Sequence, residues 1–551
     1  MRRDSCVVIG LLLVAACSDG TAPPMPPSED PVASVELVLE SPSVAEHGTL
    51  EAQVICRDAR GRVTTPRDVL WTALDPEIAL VSGSLGLVSG TVRGLTPGEA
   101  RIVARVEDLR DTASVTVTPL PVDHLVFVST LADTVLLHAK GWVVAYPYAA
   151  DGYPVTRAVT YASVRPNVAT VLANGWVDIT GAGAGGVVAT SEGKQAVHEL
   201  RAMTATFTAI SAGAEHDCAM ATSGQLWCWG AGAQGQLGRG DIVNQATPVP
   251  SGGANRFLQF AAGGAHTCGI VAGGSAYCWG DNTLGDLGNG SMGNMSTVPD
   301  RVQAPRPFTS ISGGQYFTCG VSDEHQGFCW GDNGLLQLGI GVPGSIDLPA
   351  RAIFDTTFTL IRTGVRNACG ITMAGQAVCW GDLSLGQTGG VPAGEPIPGY
   401  RFSDITVGDA VVCGLTAAGG AVCWGDALFG ATGDGGGNPS GTPAPVVGGL
   451  TFAQVSAAKG FACGLTTGGA IYCWGEGWAG ALGNGSTDFV RSPTPISSTE
   501  TFAAVSARGF HACGLTTGGV VYCWGTRNDP QTGLGDGLLS SSTVPVRIPG
   551  S

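Results

Sequence analysis

Seven times between Phe207 and Gly525 the chain writes the same sentence: a phenylalanine, a cysteine eleven residues on, and ten residues later a Cys-Trp-Gly triplet. The phenylalanines are Phe207, Phe257, Phe308, Phe358, Phe402, Phe452 and Phe502, so successive repeats start 50, 51, 50, 44, 50 and 50 residues apart. Self-similarity at a period near 50, filled with short apolar runs, marks an array of like β-units. Each unit is too small to bury its own apolar faces and must stack on its neighbours.

The sixth repeat shows what one unit contains. Short runs at Phe452–Val455, Phe461–Leu465 and Ile471–Trp474 are bounded by glycine and threonine clusters, which reads as strands joined by tight turns. Thr467-Gly468-Gly469 between the two cysteine runs is a hairpin signal, because glycine accepts the positive φ such turns need. A hairpin centred on Gly468 sets Cys463 opposite Cys473, within disulfide reach. The same reasoning pairs Cys218 with Cys228, Cys268 with Cys278, Cys319 with Cys329, Cys369 with Cys379, Cys413 with Cys423, and Cys513 with Cys523. A zinc site is disfavoured, since the two cysteines of a repeat lack the close grouping of a four-ligand site. A last run near a proline (Pro248-Val249, Pro445-Val446, Pro495-Ile496, Pro545-Val546) supplies a fourth strand, and proline belongs on a sheet edge. Seven four-stranded units fit a closed ring.

The pattern Gly263-Gly-Ala-His266-Thr-Cys268, Ala276-Tyr-Cys278-Trp279-Gly280 and Leu287-Gly288-Asn-Gly290 resembles the regulator of chromosome condensation repeat family. The resemblance covers residues 204–551 and implies a seven-bladed β-propeller. Its histidine position holds His216, His266 and His511, but Phe317, Asn367, Val411 and Phe461 in the other repeats. Interchange with apolar residues argues for packing or hairpin hydrogen bonding rather than catalysis.

The first two hundred residues read differently. Residues 1–16, with two arginines and an apolar run from Val7 to Ala16, read as a signal peptide, the run being too short to span a bilayer. Val14-Ala-Ala-Cys17 resembles the bacterial lipobox and implies lipidation at Cys17. Residues 17–31 are a proline-rich tether. Residues 32–119 alternate short strands and, with Gly48, Trp71, Asp75, Gly90 and Gly94, resemble the bacterial group 2 Ig-like domain; residues 120–203 resemble a second, divergent copy. The expected fold class is therefore all-β: two Ig-like sandwiches followed by the propeller. Export by this signal implies an oxidising, extracytoplasmic compartment, in which the paired cysteines persist as disulfides. Of the 17 cysteines, fourteen pair in the repeats, Cys6 falls in the signal peptide and Cys17 takes the lipid, which leaves Cys56; it shares its strand face with Leu50, Ala52 and Val54.

Chemistry is scarce. No nucleophile-base constellation and no phosphate-cradling loop is present, the expected metal and cofactor complement is none, and the acids after Cys-Trp-Gly (Asp281, Asp332, Asp382, Asp426, Glu476) recur by repeat as turn caps would. The formal net charge is −16, and residues 204–551 hold 22 Asp and Glu against 13 Lys and Arg, which disfavours nucleic acid. Non-repeating apolar residues follow the Trp-Gly pairs: Leu335, Leu336, Leu428, Phe429 and Trp478 form the candidate binding rim. The expectation is an exported, lipid-anchored, non-catalytic binding or adhesion protein of the bacterial cell envelope, an outer-membrane or surface lipoprotein. Its partner is a protein or glycan, and its only membrane contact is the lipid. The resemblance also implies two alternatives: an inhibitor of a cell-wall-associated hydrolase, like the β-lactamase inhibitory propeller, and a guanine nucleotide exchange factor, which suits an exported chain poorly.

Overall fold

The computed structural model describes residues 31–550 apart from 67, 84–87, 353–355, 383, 385, 387–392, 427, 438–439, 528–532 and 539–540. The expected signal peptide, Cys17 and the tether lie outside the described residues. Two compact units result: the described residues up to His124 together with Pro147–Ala158, and Leu125–Tyr146 together with Val159–Ser551.

In the first unit two sheets face each other. One orders Ser34–Leu39, Thr49–Arg57, Ser89–Gly94 and Ala79–Ser82; the other orders Ser43–Ala45, Leu109–Thr118, Gly98–Val106 and Leu70–Ala73. Period-two alternation turns Leu50, Ala52, Val54 and Cys56 into the core. Cys56 is 1% exposed there, and burial pushes its thiol pKa up, away from reactivity.

The second unit joins another sandwich to the propeller. Its sheets order His124–Ser129, Lys140–Tyr148, Trp176–Ile179 and Ala169–Val171, and Thr134–Leu136, Lys194–Met203, Gly183–Ser191 and Thr160–Ser163. This sandwich is packed on the ring. Leu136 is fully buried in one apolar cluster with Phe207, Trp229, Cys513, Leu534 and Ile548, and Leu137 bridges Gly550.

Seven sheets make the ring, each built from consecutive strands; the first orders Phe207–Ala212, His216–Ala221, Leu226–Gly230 and Gln245–Ser251. The phenylalanine strand is innermost, and the proline strand is the outer edge, where a missing N–H costs least. The cysteines face each other in register across every central hairpin (Cys463 with Cys473, for example) and all seven pairs are bridged. Their Cα atoms lie 4.0–4.1 Å apart, nearer than the 4.5–5.5 Å usual for facing residues. By the chain-entropy estimate, a loop this short contributes roughly 3 kcal/mol per bridge. One blade differs from the rest among the described residues. The fourth blade shows three strands among the described residues, Phe358–Thr363, Asn367–Thr372 and Ala377–Gly381, with a single bridge from Val378 to Pro396. Its repeat is the 44-residue one, six short of its neighbours, which is the length of an outer strand such as Val490–Pro495.

The seven tryptophans lock blade to blade. Each is at most 2% exposed, and six indole N–H groups donate to a backbone carbonyl of the preceding blade's loop: Trp279 to Gln236, Trp330 to Asp286, Trp380 to Gln337, Trp474 to Ala431, Trp524 to Ala481 and Trp229 to Leu534, at 2.9–3.1 Å. The last of these closes the ring. The glycine of the Leu-Gly pair makes this contact possible: at Gly238 and Gly483, both at positive φ, a Cβ would fall 2.5 and 2.7 Å from the ring of Trp279 and Trp524. Inner strands add a second tie, with Ser211, Ser456 and Ser506 accepting backbone N–H bonds from Ala262, Ala507 and Ala212 of the following blade.

Candidate binding face

One face of the propeller gathers the turns between the first two strands of each blade and the loops that follow Trp-Gly. Backbone bonds tie the two sets together: Asp332 N–H to the Tyr316 carbonyl at 2.7 Å, Asp426 to Ala410 at 2.9 Å, Glu476 to Gly460 at 2.8 Å. The acids at these loop starts cap their own turns. Asp281, Asp332, Asp382 and Asp426 each accept, through Oδ1, the N–H two residues on, at 2.8–3.2 Å.

All five rim residues stand on this face. Leu335, Leu336, Leu428, Phe429 and Trp478 are 43, 44, 55, 40 and 52% exposed. They do not form one patch. Phe429 packs on Phe489, with ring centroids 6.1 Å apart, and Trp478 meets Phe510 edge-on at 4.8 Å, while Leu335 and Leu336 sit on the third blade. A cation covers each aromatic pair: Arg491 lies 5.2 Å from the Phe489 ring and Lys459 Nζ 4.7 Å from that of Phe510. Phe489 and Phe510 escaped the sequence reading; Phe489 has no aromatic counterpart in the other repeats, and Phe510 has one, Tyr316 of the third blade. Leu336 and Phe429 hold φ of +63° and +64°, a region unusual for residues with a side chain. At the position of Leu336 the other described blades carry glycine (Gly235, Gly285, Gly386, Gly430, Gly480).

The recurring histidines are seam hardware. His216 Nε2 meets Thr267 Oγ1 of the next blade at 2.7 Å, His266 meets Thr318 at 2.9 Å, and His511 meets Asp217 at 2.8 Å across the closing seam. The bonds run between blades and not within a hairpin. Burial pushes His216 down to about 3 and His266 down to about 4, so both rings stay neutral. Burial alone would raise the Asp217 carboxyl; Arg527, then His511, overcome it and hold it at about 2. Arg527 donates through Nη2 to Asp217. Asp217 also lies close to Cys513 and Cys523, but their sulfurs are joined to each other and offer no thiolate to a metal. Asp286, also buried in a seam, has both carboxylate oxygens unpartnered; burial, with Asp281 and Asp332 adding, raises it to about 8.

The model for the regulator of chromosome condensation (RCC1) repeat matches residues 223–270, 273–321 and 468–515, and a second model of that description matches 207–236 and 257–286. The model for the bacterial Ig-like domain (group 2) matches residues 31–117. A search of curated proteins finds no match. Among solved structures, Prp20p of Saccharomyces cerevisiae is 19% identical with a TM-score of 0.54, covering 60% of this chain and 87% of its own; the structure's description gives its binding to Gsp1p and histones. Human WBSCR16 is 17% identical with a TM-score of 0.52, covering 60% of this chain and 92% of its own. At these identities the likeness is one of fold: the ring is an RCC1-type propeller.

Proposed function

We propose that this chain, which carries RCC1 repeats behind a bacterial group 2 Ig-like domain, is a lipid-anchored, non-catalytic binding or adhesion protein of the cell envelope that engages a partner through the loop face of its propeller. The lipobox-like run ending at Cys17 supports the anchor, and seven bridged cysteine pairs support an oxidising compartment. The structurally similar yeast propeller is described as a binder of proteins, which supports a protein partner.

The observation that carries the reading is the pairing of exposed Trp478 with Phe510 and of exposed Phe429 with Phe489, on loops that vary while the blades beneath them repeat. Each pair joins two neighbouring blades at the surface, Phe429 of the fifth with Phe489 of the sixth and Trp478 of the sixth with Phe510 of the seventh, yet leaves Phe429 40% and Trp478 52% exposed above seams that buried tryptophans already close. The test is capture from an envelope extract on the immobilised full chain, quantified against a Trp478→Ala/Phe429→Ala double variant. The expected result is a protein retained in stoichiometric amount by the parent chain and lost by the double variant, with unchanged melting of both. Equal capture by the two chains would move the binding site off this face.

A further inference from the structure

A channel runs through the ring, enclosing about 240 Å³ and lined by the inner strands of all seven blades. Six residues after each repeat phenylalanine, where the inner strand ends at the channel mouth, the chain places Gly213, Gly263, Gly314, Gly364, Gly408 and Ala458 in the first six blades and Arg508 in the seventh. The small residues are forced. A Cβ at Gly364 would fall 2.6 Å from the Gly408 carbonyl oxygen, and one at Gly408 would fall 2.3 Å from that of Ala458. The seventh blade escapes because its inner strand runs one residue longer, Phe502–Arg508, and turns at Gly509 with φ +55°. That geometry frees the side chain.

Arg508 crosses the mouth to the opposite side of the ring. Nη1 donates to the Gly313 carbonyl at 2.9 Å and Nη2 to the Gly364 carbonyl at 3.4 Å, on the third and fourth blades. A guanidinium has five N–H donors, so most remain. Both of these acceptors are neutral, and among the described residues no ion pair holds the charge. The other arginine of the lining, Arg362, is paired with Asp404 at 3.3 Å. Exposed Lys459 and Arg366, on the turns of the sixth and fourth blades, flank the same mouth; Asp409 feels all three cations, and Glu476 lies beside Lys459.

We propose that the channel mouth is an oxyanion site, in which Arg508 takes a carboxylate or phosphate group through its spare N–H donors and Lys459 and Arg366 draw the anion inward. The oxyanion comes either as a free small ion or as an acidic side chain of the bound partner. Only the second source rests on the binding reading above.

The experiment titrates the full chain at low ionic strength with sodium acetate and with inorganic phosphate, against sodium chloride at matched ionic strength, following heat and melting temperature. The expected result is a saturable response to acetate and phosphate beyond that of chloride. Arg508→Gln loses it. Asp409→Asn, which removes the neighbouring acid, tightens it by about threefold or more. No saturable response in the parent chain overturns the site, as does an Arg508→Gln response equal to the parent's. A response in Asp409→Asn weaker than the parent's also overturns it, and covers the case in which Arg508→Gln fails to fold. Acetate that displaces a captured partner identifies the acidic side chain as the source, and acetate that binds without displacing it identifies the free ion. Trp478→Ala retains the ion response, so loss of partner capture in that variant with the ion response intact bears on the binding face alone.

Discussion

Three seams of the ring are buttoned by polar side chains, three are packed with apolar ones, and one holds the buried amide of Asn367 in the same slot. His511 to Asp217, His216 to Thr267 and His266 to Thr318 join the seventh, first, second and third blades. At the same position Phe317 packs with Ala368, Val411 with Ala462, and Phe461 with Ala512. In these six seams the two partners change together: a histidine meets a residue with a side-chain oxygen, and a large apolar residue meets alanine. One backbone slot thus accepts two kinds of glue, provided both sides of the seam agree. The polar kind gathers where the first blade must find the seventh, and there it includes a charge.

The comparison breaks hardest at the closing seam. Asp217→Asn leaves Arg527 buried beside His511 with no counter-charge, and the expected loss is about 3–5 kcal/mol in urea unfolding of the full chain. A loss under about 1 kcal/mol would show that the seam closes on packing alone. Next comes conversion of a polar seam: His216→Phe alone should cost about 2 kcal/mol by crowding Thr267, and His216→Phe with Thr267→Ala should recover most of it. Additive losses would mean that the two partners do not act as a unit.

A smaller effect has the opposite sign. Asn367 holds the same slot of the fourth blade, on which Val412 of the fifth packs beside Cys369, and neither of its amide atoms has a partner among the described residues. Asn367→Val should raise stability by about 1 kcal/mol, because it removes a buried group that nothing satisfies.

The last prediction separates two titrations. His216 and His266 are held neutral in the folded chain, down to about 3 and about 4, whereas unfolded histidine takes up its proton near 6.5. Between these values the unfolded chain binds more protons, so stability falls as pH drops from 6.5. Asp286 is raised to about 8, above its unfolded value near 4, so the folded chain holds the extra proton and stability falls as pH rises toward 8. Melts between pH 6.5 and 8 should decline for the parent chain and stay flat for Asp286→Asn. Equal slopes would remove Asp286 from the account.

Much of this was legible one repeat at a time. Thr467-Gly468-Gly469 fixes a hairpin, and the hairpin puts Cys463 across from Cys473. Cys56 alternates into the core with Leu50 and Ala52, as its strand pattern requires. What lay outside that reading involves a second blade. The Trp279 indole needs the Gln236 carbonyl 43 residues back, and the Gly238 backbone must leave room for it. The role of His511 depends on Asp217, 294 residues away. Arg508 could have been found, since one arginine among six small residues at a repeat position is a visible break in the pattern. The shortened fourth repeat was visible as well, but not that its described residues would show three strands and a single bridge.

The amino-acid order by itself settled the blade count, the hairpins and the sulfur bridges, because these follow from turn chemistry and a period-two face acting over some ten residues. Only the closed ring decided which polar groups face across a seam, where the exposed aromatics pair, and why a guanidinium reaches across the channel. Those contacts join residues from tens to hundreds of positions apart, and it is ring closure, not any local rule, that sets the distances between them.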